Sequence, residues 1–206
     1  MTLSPGVLHA DARATLASWA PPTPEQAILR DRYLTHLDAH PDGMTRACTP
    51  DHVTASTLVL SADHARVLLT LHAKAGRWFQ LGGHCEPGDG TLAGAALREA
   101  AEESGLDQLD LDPVPVQLSE HAVPFCGPSG EVHHLDVRFL AVAGPDVVHA
   151  VSEESLDVAW WPVGALPAPE PDLEELVALA LARVQSTSAP EPGGASSRAA
   201  ADQPSR

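Results

Sequence analysis

Residues 82–106 read GGHCEPGDGTLAGAALREAAEESGL, and this stretch constrains the chain more than any other. Gly82-Gly83, Pro87-Gly88 and Gly90 make a turn-rich loop. A helix is expected to start near Thr91, whose hydroxyl can cap it, and to run to Ser104, with Gly105 as the stop. At about 100° per residue, Glu102 and Glu103 fall roughly 60° and 40° to either side of Glu99. The three carboxylates then share one face, while Ala93, Leu97, Ala100 and Ala101 lie opposite and can pack on a sheet.

Three like charges at that spacing cost free energy and raise one another's pKa unless a cation joins them. They sit late in the helix, where its dipole disfavours negative charge, so helix propensity does not explain them. A solvated acidic face is the plain alternative. Against it, the glycine-rich loop leaves room for a ligand. Carboxylate oxygens are also what Mg²⁺ or Mn²⁺ prefers, with water and substrate phosphates completing the shell.

The rest of the chain frames this helix with strands. Residues 53–60 and 66–72 flank Ser61-Ala62-Asp63-His64 as a hairpin, and residues 78–81 form a short apolar strand ending at Gly82-Gly83. Residues 132–142 alternate, with Val137, Phe139 and Ala141 on one face and His134, Asp136 and Arg138 on the other. Residues 158–161 make another strand, stopped by Pro162. Strands on both sides of a central helix predict a mixed α/β fold. Before them, residues 9–20 and 25–37 are helix-like and separated by Pro21-Pro22-Thr23-Pro24, so residues 1–45 read as a helical extension. Residues 46–170 hold these strands and the central helix. Residues 171–186 read as a docking helix with Leu173, Leu176, Val177, Ala180, Leu181 and Val184 on one face and an Asp to cap it. Residues 187–206 carry no large apolar side chain and read as a disordered tail.

Composition narrows the partners. The chain has 206 residues, with 12 basic against 28 acidic side chains and a formal net charge of −16. That balance excludes a nucleic-acid backbone or an anionic membrane as the main partner, and leaves a small anionic ligand only if metal ions or arginines offset the repulsion. Aromatics are 4% against 44% hydrophobic residues, so the core is built from Ala, Val and Leu. Cys48, Cys85 and Cys126 have neither disulfide-framework nor Cys-x-x-Cys spacing, which reads as a reducing compartment. With no signal-peptide pattern and no apolar run of about 18 residues, the expectation is a soluble, cytoplasmic protein.

The central stretch resembles the Nudix box, G-x5-E-x7-R-E-U-x-E-E-x-G-U with U apolar. Gly83 opens it, and Arg98-Glu99-Ala100-Ala101-Glu102-Glu103-Ser104-Gly105-Leu106 matches its second half at every specified position. Two departures stand out: Asp89 occupies the place of the first Glu, and eight residues rather than seven separate it from Arg98. A one-residue loop insertion absorbs the difference; Asp89 is the least secure correspondence, with Glu86 as its substitute.

The resemblance implies a Nudix-type α/β/α sandwich around a mixed β-sheet. It implies a hydrolase that cleaves a diphosphate linkage in a nucleoside diphosphate bonded to another moiety. By the same resemblance, Glu99, Glu102 and Glu103 hold Mg²⁺ or Mn²⁺ with help from the Gly83 carbonyl, and Arg98 orients a box glutamate. The metal lowers the pKa of a water that attacks phosphorus, and a glutamate takes its proton. Glu153 or Glu154 would supply an extra acid from a later loop. Dimerisation is common in such a fold, so a homodimer is allowed, with no interface readable.

Other residues leave alternatives open. His134, Asp136 and Arg138 fit a face that contacts nucleotide or phosphate, or a solvated outer face. His84 and Cys85 read as non-catalytic loop residues. Trp160 and Trp161 point to opposite faces, one into the core. His9, His36, His40, His52 and His64 show no metal-site pattern and read as surface residues. The alternative function is a non-catalytic nucleotide-binding module, weakened by the three retained acids; diphosphate isomerisation would need a cysteine context that is missing.

Overall fold

Strand β1 (Asp51–Leu60) organises the molecule, because all but its first residue are buried. Along it, Val53, Ala55 and Val59 point to one face while Leu58 and Leu60 point to the other, so helices must cover both. The computed structural model describes residues 5–124, 126, 132–145, 147–150, 155–167 and 170–188. Within them the order is α1 (Pro5–Ser18), α2 (Pro24–Ala39), β1, β2 (Arg66–His72), β3 (Arg77–Phe79), β4 (Leu81–His84), α3 (Leu92–Ser104), β5 (Leu109–Ala122), β6 (His133–Ala143), β7 (Ser155–Pro162) and α4 (Pro171–Ser188). The mixed sheet runs β3-β2-β1-β6-β5, with β4 added beside β1 and β7 beside β2. Among the described residues, only β1 and β6 pair in parallel.

Helices α1, α2 and α3 cover one face. Leu8, Leu16, Trp19, Tyr33 and Leu37 share a core with Val53, Ala55, Leu92, Leu135, Val137 and Phe139. The N-terminal helices are therefore continuous with the main core. Helix α4 covers the other face through Leu173, Leu176, Val177, Ala180 and Val184, over Leu58, Leu60, Val67, Leu69 and Leu140. That stripe is the one its spacing predicts. Asp172, however, lies inside α4 and reaches back to Ser119 and Arg138 instead of serving as a cap.

Two elements differ from expectation. β5 is a 14-residue strand that the sequence conceals, because Pro113 and Pro115 break its pattern. It survives as an edge strand, with a register shift between Asp112 and Gln117 that takes the prolines out of the ladder. Gly82-Gly83 forms no turn; both sit in β4, opposite Ser56 and Ala55. Glu153 and Glu154, which precede β7, and the tail beyond residue 188 lie outside the described residues.

Candidate active site

Helix α3 forms where the glycine-rich loop ends. The Thr91 hydroxyl accepts from the Gly94 N–H at 3.0 Å, and Gly105 closes the helix at φ 69°, donating to Ala101 O. Its buried stripe is Leu92, Ala95, Ala96, Ala100 and Ser104, so the face is turned from the expected one and Leu97 is exposed. The small Ala95 and Ala96 let the helix approach the sheet, where Thr57 Oγ1 donates to Ala96 O at 3.0 Å. This rotation places Glu99 and Glu103 at the edge of the buried face and leaves Glu102 outermost, with its side chain 60% exposed against 15% for Glu99.

The two glycines of β4 make the approach possible. A Cβ at Gly82 would stand 2.3 Å from Ser56 Cβ, and one at Gly83 would stand 2.7 Å from Glu99 Oε2. Gly82 N–H also points to Glu103 Oε2 at 3.3 Å. Backbone of β4 and carboxylates of α3 thus meet with no side chain between them.

Arg98 holds this arrangement in place. Its Nε and Nη2 donate to the two Asp89 oxygens, its Nη1 donates to Glu99 at 3.0 Å and Glu102 at 2.9 Å, and Nη2 also reaches His84 O. Burial would raise the Asp89 carboxyl, but the Arg98 hydrogen bonds and the Glu86 N–H outweigh it and hold it below the usual carboxylate range. Asp89 therefore faces Arg98, whereas Glu86 faces the cavity. The inserted loop residue leaves the Asp89–Arg98 contact intact.

The cavity at this junction measures about 530 Å³ and is lined by Gly83, Glu86, Glu99, Glu102 and Glu103, with Arg46 contributing a guanidinium. That volume suits a small-molecule ligand. Arg46 lies in the irregular segment between α2 and β1, and no sequence pattern singles it out. The hard oxygen donors crowded here, with a glycine where any side chain would displace a carboxylate, fit Mg²⁺ or Mn²⁺. Cys85 also borders the cavity, but burial and then the Asp89 charge push its thiol up to about 12, which makes it a poor nucleophile at neutral pH.

A family model for the NUDIX domain matches residues 50–180, more than half of the chain. The chain belongs to the Nudix family. It is a Nudix-type pyrophosphohydrolase, and its mixed α/β sheet is the Nudix fold. Solved Nudix structures superpose at low sequence identity. A Caenorhabditis elegans Ap4A hydrolase matches with a TM-score of 0.55 at 17% identity, over 65% of this chain and 98% of that one. An Escherichia coli dihydroneopterin triphosphate pyrophosphohydrolase matches at 0.52 and 20%, over 63% and 95%. The NUDIX domain of Shewanella oneidensis NrtR, complexed with ADP ribose, matches at 0.52 and 19%, over 68% and 92%. No curated protein matches in sequence.

Outside the Nudix box, the structure redistributes the remaining candidates. Asp136 and Arg138 are buried on the α4 side of the sheet, so the solvated-face reading fails. Asp136 accepts from Thr54, Ser56, Gln80 and Arg138, and Arg138 also pairs with Gln117 and Asp172. Their polar atoms are committed to one another. Trp161 packs edge-on against Trp78, while Arg66 lies over the Trp160 ring at 5.6 Å. The histidines also need correction: His52 is fully buried and His36 nearly so, because β1 and α2 carry them inward. No described helix is long and apolar enough to cross a membrane, and the three cysteines are free thiols.

Proposed function

We propose that this Nudix protein is a divalent-metal-dependent hydrolase of a nucleoside diphosphate bonded to another moiety. The observation that carries this reading is the meeting of Gly83, Glu99 and Glu103 at the wall of a nucleotide-sized cavity. Glu99, Glu102, Glu103 and the Gly83 carbonyl would hold Mg²⁺ or Mn²⁺. When bound, the ion offsets phosphate charge and acidifies the attacking water. Arg98 keeps Glu99 and Glu102 oriented, and Arg46, which also lines the cavity, would meet a phosphate. One of the box glutamates takes the proton of the water. Neighbours that bear the names of Ap4A hydrolase or carry ADP ribose support a small nucleotide derivative as substrate class.

The test is a panel of nucleoside diphosphate derivatives incubated with Mg²⁺ or Mn²⁺ and scored for phosphate or monophosphate release. Glu99→Gln and Glu103→Gln are expected to lower kcat by at least two orders of magnitude, or about 2.7 kcal/mol in the barrier. Glu102→Gln should cost less, because its side chain is the most exposed of the three. Chelation with EDTA should abolish turnover. Binding of a panel member without any product, metal present, would favour the non-catalytic module instead.

A further inference from the structure

We propose a second metal site in this protein: His52, His84, His134 and Cys126 bind one Zn²⁺ on the sheet face opposite the carboxylates of α3. The register of three strands builds it. β1 and β6 pair in parallel with His52 beside His134, and β4 pairs antiparallel with His84 opposite Thr54, two residues further along β1. Residues 52, 54, 84 and 134 therefore share a face. Gly83, the neighbour of His84, takes the other face toward Glu99, so the two ligand sets are distinct, although His84 also borders the carboxylate cavity. Cys126 arrives from the segment after β5. Its N–H donates to Val123 O, the Val123 N–H donates to Val132 O, and all three side chains are buried together.

The distances to the sulfur fit a tetrahedral ion. Cys126 Sγ lies 3.2 Å from His84 Nε2, 3.3 Å from His134 Nε2 and 3.8 Å from His52 Nε2. The three imidazole centroids form a near-equilateral triangle of 4.9, 5.0 and 5.1 Å. Zinc bonds of about 2.3 Å to sulfur and about 2.0 Å to nitrogen, at tetrahedral angles, put S and N roughly 3.5 Å apart. His52 Nδ1 stands 3.1 Å from Cys48 O, which fixes that nitrogen as the donor and turns Nε2 to the ion. One thiol has a single proton to offer, so three imidazoles converging on it make a poor hydrogen-bond cluster and a good ligand set. Thiolate and imidazole select zinc over magnesium, and four protein ligands close the shell, so the ion is structural. It ties the starts of β1 and β6 to the end of β4, the strand that presents Gly83 to Glu99.

The experiment is metal analysis of the full chain after EDTA dialysis that strips weakly held ions, followed by Co²⁺ titration of the zinc-free protein. The expected result is one retained Zn²⁺ per chain. One Co²⁺ should then give tetrahedral visible bands and a thiolate-to-cobalt charge-transfer band. Cys126→Ser should lose that band and bind zinc roughly 100-fold or more weakly, while Cys48→Ser and Cys85→Ser keep it. Should Cys126→Ser fail to fold, the wild-type stoichiometry and the other two variants still identify the thiol. No thiolate band in the wild type, or a band abolished by Cys48→Ser or Cys85→Ser, would overturn the proposal. Neither readout depends on hydrolysis, so this outcome is independent of the proposed activity.

Discussion

Arg98 grips Asp89 through two parallel hydrogen bonds, Nε to Oδ1 and Nη2 to Oδ2, each 3.0 Å long. The same guanidinium spends its remaining donors on Glu99, Glu102 and the His84 carbonyl. A loop carboxylate nine residues upstream thus sets the direction of the helix acids. Because the contact is made by side chains across a loop, an extra loop residue and a carboxylate one methylene shorter are both accommodated.

Arg98→Lys keeps the charge but has no planar fork, so it cannot serve Asp89 and Glu99 together. We expect kcat to fall about 10- to 100-fold, roughly 1.4–2.7 kcal/mol, with a smaller change in KM. Asp89→Asn should cause a milder loss in the same direction. Steady-state kinetics on the best panel substrate provide the check, and wild-type kcat in both variants would refute the positioning role.

The adjacent glycines should separate stability from activity. Alanine at Gly82 would drive its Cβ to 2.3 Å from Ser56 Cβ and 2.6 Å from Ser56 Cα, where backbone must move. A loss of about 1–3 kcal/mol is expected from such overpacking. Alanine at Gly83 meets only the end of the Glu99 side chain, which can swing away. Gly83→Ala should keep its Tm within a few degrees and lose most activity. Thermal melts beside rate measurements test the contrast.

Stability should decline in acid through Asp136. Burial opposes its charge, but the neighbouring Arg138 and the Ser56 hydroxyl outweigh it and hold the carboxyl below its ordinary value of 3.8. A carboxyl depressed in the folded state contributes stability that is present above its unfolded value and is lost as pH falls through the folded one. Denaturant midpoints should therefore drop below about pH 4. Asp136→Asn should shallow that limb, and at neutral pH it should cost about 3–5 kcal/mol because Arg138 is left buried beside a weaker partner. Asp51 is likewise depressed, with burial opposing its charge and the Arg32 hydrogen bond outweighing it, as is Glu120, through the Arg32 hydrogen bond; part of the limb should persist.

The N-terminal helices should be inseparable from the Nudix domain. Leu16 and Tyr33 are fully buried and share the core of Val53, Leu92 and Phe139. Leu16→Ala should destabilise the whole chain by about 2–5 kcal/mol in a single transition. A separate, earlier transition assigned to α1 and α2 would contradict this.

The sequence by itself determined whatever rests on short-range pattern. Thr91 and Gly105 mark the ends of α3, the apolar spacing of residues 173–184 marks the buried stripe of α4, and the Arg98-to-Leu106 motif marks the family. Each is a local rule of capping, periodicity or motif spacing. The face of α3 was less legible, since several alanines could have packed and only contact with β1 selected Ala95, Ala96 and Ala100. β5 was hidden by prolines that an edge position tolerates. Only tertiary structure decided that Asp89 belongs to Arg98, that Gly83 lies against Glu99, and that Asp136 and Arg138 are buried together. The convergence of His52, His84, Cys126 and His134 was likewise invisible in the sequence. These residues are separated by up to 82 positions in the chain; strand register, a property of several segments at once, brings the three histidines together, and the segment after β5 adds Cys126.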